Sequence, residues 1–228
     1  MIKINIGRKK YKVCNEWKDL TPSILHTIKS IEPIELVKAL TDIPEDVIEI
    51  LSESSLMAIY QLASFVEDSP KVLAPKKVIN VASESWKKLE STKQALQTKS
   101  PPYIATQVAG IYFGDEVYKW SIPLVYGQTS QILESLFVFL ERYKELNEGG
   151  EYDEDQLEAG VEGFETFGVG AIRYSLAKGD VTKYKDIEEQ TAEDVYFTLL
   201  YEKAVNKYQK ELKRIYDRQN GINSSKNS

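Results

Sequence analysis

A run of twenty residues in the second half of the chain constrains the fold most strongly. From Gly127 to Leu146, apolar side chains recur every three or four positions, at Ile132, Leu133, Leu136, Phe137, Leu140 and Tyr143. This spacing is the period of an α-helix, and so broad a stripe predicts a helix buried on most of its sides. We therefore expect this helix to form the centre of the core of a mainly helical protein.

Two shorter segments alternate between apolar and polar residues, as β-strands do. In the first, the isoleucines of 2–6 alternate with polar residues, and Gly7 stands where a hairpin turn needs a positive φ. The second segment covers 104–120, with Gly114 at its turn. The predicted fold class is α+β, mainly α-helical, with two short β-hairpins that are each followed by helices, and a helical C-terminal half.

Capping residues mark the starts of further helices. Thr21 followed by Pro22 predicts a helix whose apolar positions continue to Ile31. Further runs predict helices over 34–40 and from 52 to 66. Thr191, with acidic residues directly after it, predicts the N-cap of a final helix of roughly 27 residues.

Composition divides the chain into three expected parts. The middle part, 69–102, contains four prolines and has seven lysines against two glutamates, which is typical of a linker or an arm. Within it, 78–81 has the composition of a short strand and 83–97 that of a helix. We expect a hairpin with short helices over 1–68, the basic arm, and a hairpin with a helical domain and a long C-terminal helix over 103–228.

The chain is poor in residues that carry out chemistry. Its 228 residues include one Cys and one His. A structural zinc site needs about four such ligands, and nucleophilic catalysis needs a base placed beside the nucleophile. The expectation is a protein without enzymatic activity, with no catalytic residue, no cofactor and no metal site; Cys14 is expected to act as a small apolar side chain. The net charge of −6 also disfavours a dedicated nucleic-acid binder.

An acidic block extends from Glu148 to Glu165 without a basic residue. It lacks the register of a calcium-binding EF-hand loop, because Glu158 and Phe164 stand where Gly and Glu are required, counting from Asp153. The block is interpreted as the solvated start of a helix or as a docking patch for a basic partner. Glycines within 152–176 predict a helix that packs closely or that bends on assembly.

The clearest interaction signal lies in the final helix. Apolar residues there form a short heptad seam, and six basic residues face three acidic ones over 201–218. The seam packs either on the protein's own core or on another chain. In the first hairpin, lysines flank aromatic residues, which fits either a protected sheet edge or a nucleic-acid reader. The candidate protein-interaction residues are Tyr201, Val205, Tyr208, Leu212, Ile215, Tyr11 and Trp17.

The first 68 residues carry a recognisable order of motifs. A hairpin, Ile4 to Val13, is followed by Trp17 and Leu20-Thr21, and then by Leu40-Thr41-Asp42-Ile43-Pro44-Glu45-Asp46-Val47. This order resembles the opening of assembly and structural proteins of tailed bacteriophages, in particular tail assembly chaperone-like proteins. Beyond Pro70 the resemblance rests on general character alone.

The resemblance implies a non-enzymatic morphogenesis protein that binds other phage structural proteins. Such a protein either shields tail subunits or stays in the particle as a ring, connector or packaged component, and a homo-oligomer in a ring or shell is one form that it could take. The alternative function is thus a permanent virion component, and a nucleic-acid-associated adaptor ranks behind both. The implied location is the virion or the host bacterial cytoplasm. No membrane partner is expected, because the longest apolar run, 136–140, is far shorter than the roughly 20 residues that span a bilayer.

Overall fold

The chain opens with an antiparallel β-hairpin. The computed structural model describes residues 1–25, 27–28, 32–67, 72–97, 101–147, 163 and 166–226. Strand β1, Ile2–Ile6, pairs with β2, Lys9–Val13, in a register that places Ile4 opposite Tyr11. Gly7 has a φ of 61° at the turn, as the sequence predicts, because a residue without a Cβ enters this region at little cost.

Four short helices follow the hairpin: α1, Pro22–Leu25; α2, Pro33–Leu40; α3, Glu45–Glu49; and α4, Glu53–Ala63. The start of α1 is confirmed, because the Thr21 hydroxyl accepts a hydrogen bond of 3.4 Å from the Ile24 N–H. The predicted extension of this helix to Ile31 is wrong for the described residues, since the helix ends at Leu25. Tertiary packing therefore overrides the helical spacing of the apolar residues here.

Seven helices follow in the remainder of the described chain. They are α5, Trp86–Leu96; α6, Pro101–Phe113; α7, Ile122–Arg142; α8, Lys144–Asn147; α9, Gly168–Leu176; α10, Tyr184–Glu189; and α11, Ala192–Lys226. Single 3-10 turns connect several of them. The fold class is α+β and mainly helical, with one small two-stranded sheet at the N-terminus.

The predicted second hairpin is wrong. Residues 101–113 form α6, and Gly114–Lys119 is a 3-10 helix. Ala105, Val108 and Ala109 are buried at helical spacing, which the β-branched and aromatic residues nearby conceal. Gly114 does adopt a positive φ of 63°, but it does so directly after the last residue of a helix. The same glycine chemistry thus ends a helix here instead of turning a hairpin.

The described residues divide into two compact units that each use separated parts of the chain. One unit contains 1–79 and 91–134, and the other contains 80–90 and 135–228. These units do not coincide with the expected parts 1–68, 69–102 and 103–228. Residues 69–102 contribute to both units. Their lysine and proline content does not reveal this, because such content reflects local solvation, whereas membership of a unit depends on long-range contacts.

Each unit has its own core. In the first, the hairpin packs on α2, α3 and α4 through a cluster that includes Tyr11, Val37 and Ile59. A second cluster in the same unit, around Leu20 and Leu36, includes Ile122 at the start of α7. In the second unit, the buried residues come mainly from 81–89, from α7 and the turn after it, and from α10 and α11, and they include Trp86, Leu89, Leu136, Phe139, Tyr143, Ile187, Val195 and Tyr196.

The expectation that helix α7 is buried on most of its sides is confirmed for 122–129, where six residues are buried and two are half-buried, but is wrong for 130–142. Ile132, Leu136 and Phe139 are buried. Phe137, by contrast, is 70% exposed, and Val138 is exposed beside it. This later part of the helix therefore packs through one face, and part of its broad apolar stripe faces solvent.

Candidate functional site

The final helix, α11, is fixed at its first turn. The Thr191 hydroxyl accepts a hydrogen bond of 3.1 Å from the Asp194 N–H and donates one of 2.6 Å to the Asp194 carboxylate. The Ala192 N–H donates to the Glu84 carbonyl at 2.9 Å. This confirms the predicted N-cap and ties the start of α11 to the 80–90 segment.

Aromatic packing holds the first two turns of α11 in place. The ring of Tyr196 lies 4.9 Å from that of Phe139 and 5.5 Å from that of Tyr143, between ring centroids. Beside this cluster, Arg142 forms an ion pair of 2.7 Å with Glu193. Burial, with a smaller contribution from the Glu193 carboxylate, raises the pKa of Tyr143. These contacts make the beginning of α11 a firm base for the remaining turns of the helix.

Beyond the anchored turns, the predicted seam of α11 lies mostly in solvent. Tyr201 is 63% exposed, Tyr208 is 66% exposed and Ile215 is 44% exposed, whereas Val205 and Leu212 are half-buried. The sequence allows this seam to pack either on the protein's own core or on another chain. Three of its five side chains do not pack on the core. The seam therefore presents apolar surface on one face of a long helix.

The other faces of this part of α11 are basic. Lys203, Lys207, Lys210, Lys213, Arg214 and Arg218 stand against Glu202, Glu211 and Asp217 over 201–218. Arg214 pairs with Glu211 at 2.8 Å, which offsets one of these charges. An apolar stripe with a net positive border suits a partner surface that is apolar at its centre and acidic at its rim.

The two candidates near the hairpin have structural roles. Tyr11 is buried in the core of the first unit, opposite Ile4, and its ring is not available to a partner or to a nucleic-acid base. Trp17 is half-buried and packs edge-to-face on Phe65, with 5.6 Å between ring centroids. The lysines of the hairpin thus border a sheet whose aromatic residue faces inward.

A second arrangement was not anticipated from the sequence. Residues 72–79, here named the strap, lie along α7 as an irregular segment that pairs with no strand of the described chain. The side-chain amides of Gln128 and Gln131 bond to strap backbone groups at Lys77 and Ile79. Each such bond contributes about 0.5–1.5 kcal/mol net. Two amides three residues apart, and so on one face of a largely apolar helix, are the one sequence signal that could have revealed it.

The strap also revises the interpretation of 78–81 as a short strand. Its hydrogen-bonding partners are the side chains of a helix, whereas a strand would need the backbone of another strand. In the second unit, the Val81 N–H continues this mode by donating to the Ser135 hydroxyl at 3.0 Å. All of the acidic block 148–165 except Gly163 lies outside the described residues, and so does most of the glycine-rich run before Gly168.

Groups suited to catalysis are scarce in the described part of the chain. Cys14 is buried, and desolvation, followed by the nearby Asp19 carboxylate, raises the pKa of its thiol. A thiol of this kind is a poor nucleophile. Three or more His, Cys, Asp or Glu side chains placed to hold a metal ion do not occur together among the described residues.

One open cleft of about 490 Å³ lies in the first unit, between the end of α5 and α6. Its walls include Gln94, Gln107, Gly110 and Asp115. Asp115 is the single carboxylate among the described residues that line it, so the cleft does not hold the pair of acidic side chains that many hydrolytic sites use. As to membranes, none of the helices within the described ranges combines the length and the apolar character needed to cross a bilayer.

Comparison of the chain with protein-family models, with curated proteins and with solved structures finds no match.

Proposed function

We propose that this chain is a non-enzymatic bacteriophage morphogenesis protein, similar to a tail assembly chaperone, that binds other structural proteins of its phage. The observation that carries the proposal is the exposed seam of α11, in which Tyr201, Tyr208 and Ile215 present apolar surface bordered by basic residues. Solvation of so much apolar surface is unfavourable, and burial against a partner removes that cost.

The resemblance of the N-terminal motifs supplies the class of partner. A structural protein of the same phage with an apolar groove and an acidic rim complements the seam in both shape and charge. The buried Cys14, with its raised pKa, and the scarcity of His and Cys agree with a role in binding.

The test is co-purification of the tagged full chain with the virion proteins of its phage, followed by mass spectrometry. We expect capture of a tail or capsid protein by the wild-type chain and loss of that capture in the Tyr201→Ser/Tyr208→Ser variant. Tyr174→Ser/Val181→Ser is the matched control, because it removes two other exposed apolar side chains, on α9 and just after it, and leaves the seam intact. Capture that is equally strong in both variants would remove α11 from the proposal.

Purified particles distinguish a chaperone from the alternative, a permanent virion component. A chaperone is expected to bind the partner in lysates and to be missing from mature particles. A permanent component is expected in both. If the chain binds no phage protein and is missing from particles, the proposed function is wrong.

A further inference from the structure

The strap is held to α7 through its backbone. The Lys77 N–H donates to Gln128 Oε1 at 3.3 Å, and Gln128 Nε2 donates to the Lys77 carbonyl at 2.7 Å. Gln131 repeats this pairing at Ile79, with 2.8 Å in each direction. Each amide thus binds both the donor and the acceptor of one peptide residue, as the neighbouring strand of a sheet would do.

The spacing of these contacts matches two periodicities. Residues 77 and 79 direct their backbone groups to the same side, which is the period of an extended chain. Gln128 and Gln131 lie three apart and so share one face of α7. Gln128 Nε2 also lies 3.4 Å from Gln131 Oε1, which fixes the two amides relative to each other. The two amides are therefore preorganised to bind the backbone of alternate residues in an extended peptide.

Close approach of the strap farther along depends on a missing side chain. The Leu73 N–H donates to the Pro123 carbonyl at 3.1 Å, and the Leu73 carbonyl lies over Gly127. A Cβ at position 127 would lie 1.7 Å from that carbonyl oxygen. Gly127 thus opens the helix surface to a peptide backbone, whatever side chain the peptide carries at this point.

Only some of the strap's side chains contribute to its attachment. Ile79 is buried, but Val72 and Leu73 are exposed and Val78 is 75% exposed. The ammonium of Lys76 lies 4.5 Å from the centroid of the Trp120 ring, a cation–π contact. One apolar anchor, this contact and a set of backbone hydrogen bonds therefore hold the segment. Because the hydrogen bonds are to groups that every residue except proline has, the site selects an extended backbone with a basic residue in the place of Lys76 and an apolar residue in the place of Ile79.

We propose that the face of α7 formed by Gly127, Gln128 and Gln131 is a peptide-binding site, which the strap occupies in cis and which an extended segment of a partner protein occupies when the strap leaves. The site lies in the first unit and does not involve the seam of α11. It goes beyond the proposed function, and its test does not depend on the identity of any phage partner.

Direct binding of a peptide to the full chain tests the proposal. The probe is a labelled peptide with the sequence of residues 72–80, capped at both ends, and its binding is monitored by fluorescence anisotropy. We expect weak binding to the wild-type chain, because the strap competes. The Ile79→Ser chain, which weakens only the strap's anchor, is expected to bind the peptide about tenfold more tightly or better. Val78→Ser is the matched control and should behave as wild type.

Two further changes test whether the backbone is what the site binds. Adding Gln128→Ala and Gln131→Ala to the Ile79→Ser chain should abolish the gain in affinity. N-methylation of the peptide at the positions of 77 and 79 should also abolish binding. N-methylation at 78 should leave binding in place, since the Val78 N–H bonds to no residue that the structure describes. Equal binding of the differently methylated peptides would overturn the proposal, as would a folded Ile79→Ser chain without saturable binding.

Hydrogen exchange on the wild-type chain covers the case in which Ile79→Ser does not fold. The amides of Lys77 and Ile79 are expected to exchange through a local opening that requires less free energy than global unfolding. Exchange of both amides only with global unfolding would show a permanently attached strap and would overturn the proposal. Concentration-dependent dimerisation through exchanged straps would show that the occupant is the strap of a second copy of the chain. This result would also overturn the proposal that a segment of a different protein occupies the site.

Discussion

The carbonyl oxygen of Leu73 occupies the position in which a side chain on Gly127 would begin. The distance from this oxygen to an ideal Cβ on Gly127 is 1.7 Å, far below any van der Waals contact. Gly127→Ala is therefore expected to displace the strap. We predict a loss of about 1–3 kcal/mol in the free energy of unfolding, the usual cost of overpacking, measured by urea denaturation.

Gly110 provides the matched control for this substitution. It too lies inside a helix of the first unit, but nothing stands within 4 Å of the position of its Cβ. Gly110→Ala is expected to stabilise the protein by up to about 1 kcal/mol, because alanine has the higher helix propensity. Changes of the same sign in the two variants would contradict the account of the strap.

Two tyrosines of α11 are predicted to differ sharply in their contribution to the free energy of unfolding. Tyr196 is buried against Phe139 and Tyr143, whereas Tyr208 is 66% exposed. Tyr196→Ala should cost about 3–5 kcal/mol through lost packing. Tyr208→Ala should change the free energy of unfolding by no more than about 0.5 kcal/mol. Thermal unfolding of the isolated chain measures both, and a large loss at Tyr208 would show that the seam packs within the chain.

The cap of α11 is predicted to be a measurable part of stability. Thr191→Ala removes the acceptor for the Asp194 N–H and is expected to cost about 1 kcal/mol. Thr191→Ser keeps the hydroxyl and should recover most of this loss. Chemical denaturation of both variants is the measurement, and equal losses in Ala and Ser would assign the effect to the methyl group.

Cys14 is predicted to make stability depend on alkaline pH. Burial raises the pKa of its thiol in the folded chain, so the unfolded chain loses this proton first as the pH rises. The unfolded state then binds fewer protons, and the free energy of unfolding falls above about pH 8.5, the ordinary thiol pKa. The comparison is with Cys14→Ala between about pH 7 and 10, which brackets that pKa. A difference between the two chains that stays constant over this range would contradict the prediction.

Local chemistry made the first hairpin predictable. Ile2, Ile4 and Ile6 alternate, Gly7 allows the turn, and the strands pair directly across it. The caps at Thr21 and Thr191 were predictable for the same reason, since each needs only residues within one turn. In such cases the sequence neighbours are also the physical partners.

The rest depends on partners that are distant in sequence. At Gly114 a positive φ is compatible with both a hairpin turn and a helix C-terminus, and the burial of Val108 and Ala109 decides between them. The strap depends on Gln128 bonding to a residue 51 positions away. Neither relationship produces a periodic pattern in the sequence. The exposure of Tyr201 could not be predicted either, because a heptad seam is the same whether or not its partner is present.

The anchored first turn of α11 has a geometric consequence for everything carried farther along that helix. The helix has 35 residues and is therefore about 52 Å long, and Tyr201 to Ile215 extend over about 21 Å of it. Each residue advances the bearing of a side chain by about 100°. One residue added between Leu200 and Tyr201 would thus rotate the entire seam by about that angle while leaving its composition unchanged. The number of residues between the N-cap, Thr191, and the seam therefore sets two quantities for a bound protein. One is its distance from the cap along the helix, and the other is its direction around the helix axis.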